Sequence, residues 1–418
     1  MLRNLGSFIS ASLKRQRAVS AGTIVLTPVD SVPVYLDSEH LADHLQGYYV
    51  TDKLRAARSL KDAKILFGRR GRAIYDTREI YNAWANALQA ESVSLRLLSG
   101  LHAHVTVFMG LGNIGDTVMI LPEEAGGHFS TAEILERLGY HTIHMIVDYR
   151  SRRIDVGATR QVINDERPDL LLIARSEGLN YEDFTPIIRD SGAYTVFDAS
   201  HYLPGILYGR YEHPFDMGAD LILSSLHKSF PGPQKALVAA KRETDERWKR
   251  VLNGIGSYVS STHIKTTYLA GMALGYGHIL ERYTDESIRN AVSLEQLLLD
   301  RGIPVVQRHQ CEPPTTHLWI RAHDRLKAFE WYRGLAYVRI STNYRLLPYN
   351  LGVGLRLGTG VATLMGLKQE HLPELADIIA AALGSGASRD LRHRVRALCD
   401  EMARFSMLNN QESSNRGA

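Results

Sequence analysis

Cysteine is nearly absent: Cys311 and Cys399 are the only two in 418 residues. So few thiols support neither a disulfide framework nor a thiolate metal site, and they point to a reducing, cytoplasmic setting. Charge excess is lacking too. Lys+Arg 49 against Asp+Glu 45 leaves +4, too little to argue for a nucleic-acid partner. No apolar run reaches the length of a membrane span. Acidic residues are missing from positions 1–29, where Arg3, Lys14, Arg15 and Arg17 punctuate Leu2, Leu5, Phe8, Ile9 and Leu13. That pattern reads as a helix docked on its own fold or on a partner subunit, with a transit-like peptide as the alternative.

The length gives room for two domains with substantial cores. A short β-prone run at 23–26 ends at Thr27-Pro28, and a polar helical stretch follows to 66. Arg69-Arg70-Gly71-Arg72 is a dense basic loop, either a solvated turn or an anion contact, and 75–91 reads as a helix. From 97 onward strands and helices alternate. Strands are expected at 117–121, 142–147, 170–174, 194–197, 221–224 and 236–240, with helices such as 132–138 and 158–165 between them. Such alternation implies a mostly parallel α/β sheet whose sites lie at the strands' carboxyl ends. A long linking helix is expected at 267–283, then a smaller α+β region. The expected division is an arm at 1–40, a large domain at 41–284 and a small C-terminal domain at 285–418, its polar end 409–418 frayed.

The most informative stretch is Ser224-Ser225-Leu226-His227-Lys228-Ser229-Phe230-Pro231-Gly232-Pro233. An apolar strand delivers one lysine into a turn broken by Pro, Gly and Pro. A desolvated amine, or one near other cations, loses its charge and attacks aldehydes. Four other pieces stand in order around it. Ser99-Gly100 opens a helix and suits an anion. Gly126-Gly127-His128 follows a strand and lets an imidazole approach a flat ligand. Asp198-Ala199-Ser200-His201 ends a strand with a carboxylate able to pair with a protonated ring nitrogen. Arg356, in Gly354-Leu355-Arg356-Leu357-Gly358-Thr359-Gly360, offers a planar fork for a carboxylate. Each has an ordinary reading as well: a solvated lysine, a helix cap, a polar loop, a turn cap, an edge-strand arginine. His102 and His104 point to different faces of one helix, so they are not read as a metal pair, and no metal is expected.

The ordered set resembles the serine hydroxymethyltransferase family, fold type I enzymes that depend on pyridoxal 5'-phosphate, from about residue 23 to 383. The resemblance implies that Lys228 holds the cofactor as a Schiff base, with His227 before it. It implies that Asp198 pairs with the pyridine nitrogen, that His128 stacks on the ring, and that His201 and Ser176 lie near the phenolic oxygen. Ser99 and Gly100 would bind the phosphate, and Arg356 the α-carboxylate of an amino acid. A homodimer with shared active sites is implied too.

The departures fall on the substrate side. The family's Tyr-Ala-Glu-Gly-Tyr becomes His44-Leu45-Gln46-Gly47-Tyr48, which replaces an acid that exchanges protons by an amide that does not. Pro-Ser-Glu-Asn becomes Pro28-Val29-Asp30-Ser31. The paired tyrosines before Gly-Gly fall near Leu66-Phe67-Gly68-Arg69, and Arg-Gly-Pro-Arg-Gly-Gly near Pro231-Gly232-Pro233-Gln234-Lys235-Ala236. With Asp30, Gln46 and Tyr48 as substrate contacts, the expected activity is transferase or lyase chemistry at Cα of a glycine-, serine- or threonine-type substrate. Folate-independent aldol or retro-aldol chemistry, in specialised biosynthesis, is the first reading. Folate-dependent hydroxymethyl transfer, transamination and β-elimination or replacement are the alternatives.

Overall fold

The computed structural model describes residues 5–34, 71–259 and 263–408. Seven strands form the main sheet: β1 (Ser92–Leu97), β2 (Thr117–Ile120), β3 (His141–His144), β4 (Leu170–Ile173), β5 (Tyr194–Asp198), β6 (Leu221–Ser225) and β7 (Ala236–Ala240). Their spatial order is β1-β7-β6-β5-β4-β2-β3. Only β7 runs antiparallel to its neighbours. The continuous apolar runs follow from burial on both faces. In β4, Leu171 and Ile173 join one core cluster while Leu170 and Leu172 join another; in β6, Ile222 opposes Leu221 and Leu223 in the same way. Helices Gly100–Leu111 and Glu246–Tyr258 pack together over one face.

A second sheet holds β8 (His317–Arg321), β9 (Asn343–Leu347) and β10 (Gly352–Gly358), antiparallel in the order β8-β10-β9. Its inner face (Leu318, Ile320, Leu355, Leu357) shares a third core with helices Arg325–Tyr337, Leu372–Gly384 and Arg389–Met402. The early β-prone run joins this body, Ile24–Val25 pairing in parallel with Ile340–Ser341.

Three expectations shift. The first strand of the large sheet, β1, begins at Ser92, between the helix read to 91 and the alternation read from 97, where no strand was expected. The helix expected at 75–91 spans Gly71–Ala87, so Gly71 and Arg72 belong to it. The single linking helix is two, Ile264–Gly275 and Gly277–Asp300, broken at Tyr276. The flanking glycines lower helix propensity at that joint. Among the described residues, no helix is long and apolar enough to cross a membrane. The tail 409–418 lies outside the described residues.

Candidate active site

All the parallel strands end at one edge, and the expected residues follow those ends. Ser99 and Gly100 come after β1, His128 after β2, Ser176 after β4, Asp198 closes β5, and Lys228 lies three residues past β6. This is where an open α/β sheet collects its ligands.

The lysine loop is pinned from several sides. Ser229 Oγ donates to the Ser200 carbonyl at 2.9 Å, and the Tyr283 hydroxyl donates to the Ser229 carbonyl at 2.8 Å. Phe230 is fully buried against Trp84, ring centroids 5.1 Å apart. His227 turns away from the sheet edge, its Nδ1 3.2 Å from the Lys235 carbonyl. Its place is therefore to close the hairpin behind the lysine. Burial lowers the pKa of the Lys228 amine; Asp198 opposes that shift and Arg356 adds to it. A lysine so placed is a better nucleophile near neutral pH.

Asp198 is buried, with Oδ1 accepting the Ser200 amide at 2.8 Å and Oδ2 2.9 Å from His104 Nε2. Burial alone would raise its pKa, but the His104 hydrogen bond and charge, with Lys228 and Ser200, hold it below the usual carboxylate range. The carboxylate stays an anion in an otherwise apolar layer.

The Gly-Gly pair before His128 is required by close backbone approach. Gly126 has φ 84°, and a Cβ there would lie 2.1 Å from the Glu177 carbonyl oxygen; one at Gly127 would lie 2.2 Å from that of Leu121. The loop is stitched to the end of β4 by His128 N to Ala174 O at 3.0 Å and Ser176 N to Gly126 O at 2.8 Å. Thus His128 and Ser176 arrive together. Burial pushes His128 down to about 4, helped by His104 and Lys228 and opposed by Asp198. His201 is held well below its ordinary pKa by burial, Lys228 and His317. At neutral pH both rings are uncharged and can accept a proton.

At the amino end of helix Gly100–Leu111, Ser99 caps its own helix by accepting from His102 N at 3.2 Å. A Cβ on Gly100 would touch Ser225 and Ser200 at 3.5 and 3.6 Å. Ser225 Oγ is buried there with no partner. An orphaned hydroxyl beside first-turn amides fits a phosphate. With Asp198 for a protonated ring nitrogen, imidazoles for a flat face and Lys228 for an aldehyde, the donor set fits pyridoxal phosphate. Ser99 Oγ accepts the cap hydrogen bond and keeps its O–H to donate.

Arg356 lies at the centre of β10, 4% exposed, with Nη2 donating to Asn343 Oδ1 at 3.1 Å. Asp30 is exposed. Its segment is tied to the end of β10 by Gly358 N to Leu26 O at 2.8 Å and to the lysine loop by Val34 N to Pro231 O at 3.0 Å. Partial desolvation raises the Asp30 pKa, against a hydrogen bond from Thr27. Gln46 and Tyr48 lie outside the described residues.

Four residues here escaped the sequence reading. His104 holds Asp198 and packs edge-on to His128 at 5.4 Å. His317 packs edge-on to His201 at 5.6 Å, and burial with Arg356 and Arg308 pushes it down to about 3. Glu177 and Arg345 sit against Arg356. His104 lies four residues along the helix that Gly100 opens and Glu177 directly precedes Gly178, whereas His317 and Arg345 have no glycine beside them.

A family model described as serine hydroxymethyltransferase matches residues 72–379. A serine hydroxymethyltransferase of Archaeoglobus fulgidus is 31% identical over 343 residues, 78% of this chain and 75% of that one. A fluorothreonine transaldolase of Streptantibioticus cattleyicolor is 32% identical over 304 residues, 70% of this chain and 46% of that one. An L-threonine transaldolase of Pseudomonas fluorescens, solved in an internal aldimine state, matches with a TM-score of 0.86 over 97% of this chain and 93% of that one. At 18% identity, that likeness is one of fold.

Proposed function

Since the chain belongs to the serine hydroxymethyltransferase family, and is thereby a pyridoxal-phosphate-dependent enzyme acting on an amino acid, we propose that it performs folate-independent aldol and retro-aldol chemistry at Cα of glycine-, serine- or threonine-type substrates. The observation that carries this reading is the company Lys228 keeps. A half-buried amine, a buried carboxylate and a buried guanidinium stand among imidazoles that burial holds neutral. Gln46, where the family's glutamate is expected, points the same way.

The chain's own residues then divide the work. Lys228 carries the cofactor, whose protonated ring draws electrons from a bond broken at Cα. Asp198 keeps that ring nitrogen protonated. Arg356 fixes the substrate carboxylate and so sets which Cα bond stands perpendicular to the ring. Neutral His128 or His201 takes the proton from a β-hydroxyl as the Cα–Cβ bond breaks and an aldehyde leaves. The same proton returns when the glycine-derived carbanion meets an aldehyde in the reverse direction. Resemblance to a protein named fluorothreonine transaldolase supports this reading.

Identity to serine hydroxymethyltransferases supports a second reading, folate-dependent hydroxymethyl transfer. A homodimer in the cytoplasm, and the division at 40 and 284, belong to either. The deciding experiment titrates the cofactor's absorption with glycine, serine and threonine, each with and without tetrahydrofolate. A long-wavelength band raised by glycine alone supports the first reading; a band only with folate supports the second. No response to any of the three would set both aside.

A further inference from the structure

Arg356 already holds a carboxylate. Its Nη1 lies 3.3 Å from Glu177 Oε1, and the same oxygen is bonded by Arg345 Nη1. Arg345 comes from β9, two residues beyond Asn343, which sits opposite Arg356 in the register. Glu177 is 1% exposed, and its Oε2 has no hydrogen-bond partner among the described residues. Two guanidinium groups thus share one buried carboxylate, and Arg345 also reaches the exposed Glu123, its Nη2 3.9 Å from Oε1.

We propose that Glu177 is an internal stand-in for the substrate carboxylate, pairing with Arg356 while no amino acid is bound and passing wholly to Arg345 when one arrives. This rests on the reading of Arg356 as the carboxylate receptor. A guanidinium buried without a counter-ion is costly, so the receptor needs an anion between turnovers. Two carboxylates crowded onto one guanidinium repel, so that anion must withdraw when the substrate binds. Arg345 makes withdrawal easy. It already touches the shared oxygen, and its side chain is 28% exposed, so its own charge is solvated throughout. Asn343 is neutral and keeps its hold on Arg356 Nη2 during the exchange. Glu177 and Arg345 are positioning residues that act through Arg356.

The test is equilibrium binding of glycine to the holoenzyme, followed by cofactor absorbance. Glu177→Gln removes the competing charge and should tighten glycine about tenfold. Arg345→Gln leaves Glu177 with nowhere else to go and should weaken glycine by about as much. The double variant should bind like Glu177→Gln alone, because Arg345 acts only through Glu177. Unchanged or weaker binding by Glu177→Gln overturns the proposal and makes Glu177 a brace for Arg356. Wild-type binding by Arg345→Gln overturns it as well, and that variant decides the matter if Glu177→Gln does not fold. Arg356→Gln separates the two levels: if it binds glycine as the wild type does, the reading of Arg356 fails, and the exchange with it.

Discussion

Replacing His104 by leucine removes the ring nitrogen 2.9 Å from Asp198 Oδ2 and puts an apolar group of similar bulk in its place. Asp198 is 8% exposed, so water cannot readily replace the lost donor. A hydrogen bond to a buried charged group contributes about 2 kcal/mol. Its loss should raise the Asp198 pKa toward the usual carboxylate range. With Asp198 proposed as the partner of the pyridine nitrogen, losing that support should weaken cofactor binding by up to about 30-fold. Fluorescence titration of the cofactor-free protein with pyridoxal phosphate measures this directly. His104→Gln, whose amide nitrogen reaches about as far, should recover most of the loss. Wild-type affinity in His104→Leu, or a Gln variant as impaired as the Leu variant, would refute the role given to the pair.

Lys228→Ala should eliminate covalent retention of the cofactor after borohydride reduction and all amino-acid turnover; mass spectrometry showing the cofactor still attached would place it on another lysine. The cofactor-free protein should lose stability in acid. Its unfolded chain binds a proton at His128 near pH 6.5, which the folded chain refuses until about 4. The stabilisation is complete above 6.5 and is lost as pH falls through that window, by up to about 3 kcal/mol for this one group. Urea unfolding at pH 7.5 and 5 should show the drop, and His128→Phe should flatten it. Gly126→Ala should cost about 2 kcal/mol or more, because a Cβ at φ 84° meets the Glu177 carbonyl. A thermal melt unmoved by that change would mean the loop is looser than its hydrogen bonds suggest.

The residues legible in the sequence are those that chain geometry marks locally. Lys228 stands between a strand and a proline-glycine turn, Asp198 ends an apolar run, and His128 follows two glycines that backbone contact makes obligatory. Arg356 is flanked by glycines on its own strand. The meaning of His104, His317, Glu177 and Arg345 arises instead from sheet order. Arg345 matters only because β9 lies beside β10, and His104 because its helix brings Nε2 to 2.9 Å from the carboxylate that closes β5. Ser92–Leu97 alternates polar and apolar residues as a one-sided strand would, yet Ser94 and Arg96 are buried too. Arg96 is accommodated there by bonding the Val259 carbonyl, a partner 163 residues away. The helix break at Tyr276 was written in its two flanking glycines and outweighed by the apolar periodicity around them.

The central claim is that an amino-acid Cα–Cβ bond is broken and remade here without folate. Incubating the holoenzyme with threonine and a second aldehyde, free of tetrahydrofolate, and identifying the amino acids by mass spectrometry tests it most directly. The account predicts acetaldehyde together with a β-hydroxy amino acid built on the added aldehyde. Intact threonine under those conditions, alongside serine-to-glycine conversion that starts only when tetrahydrofolate is supplied, would contradict it.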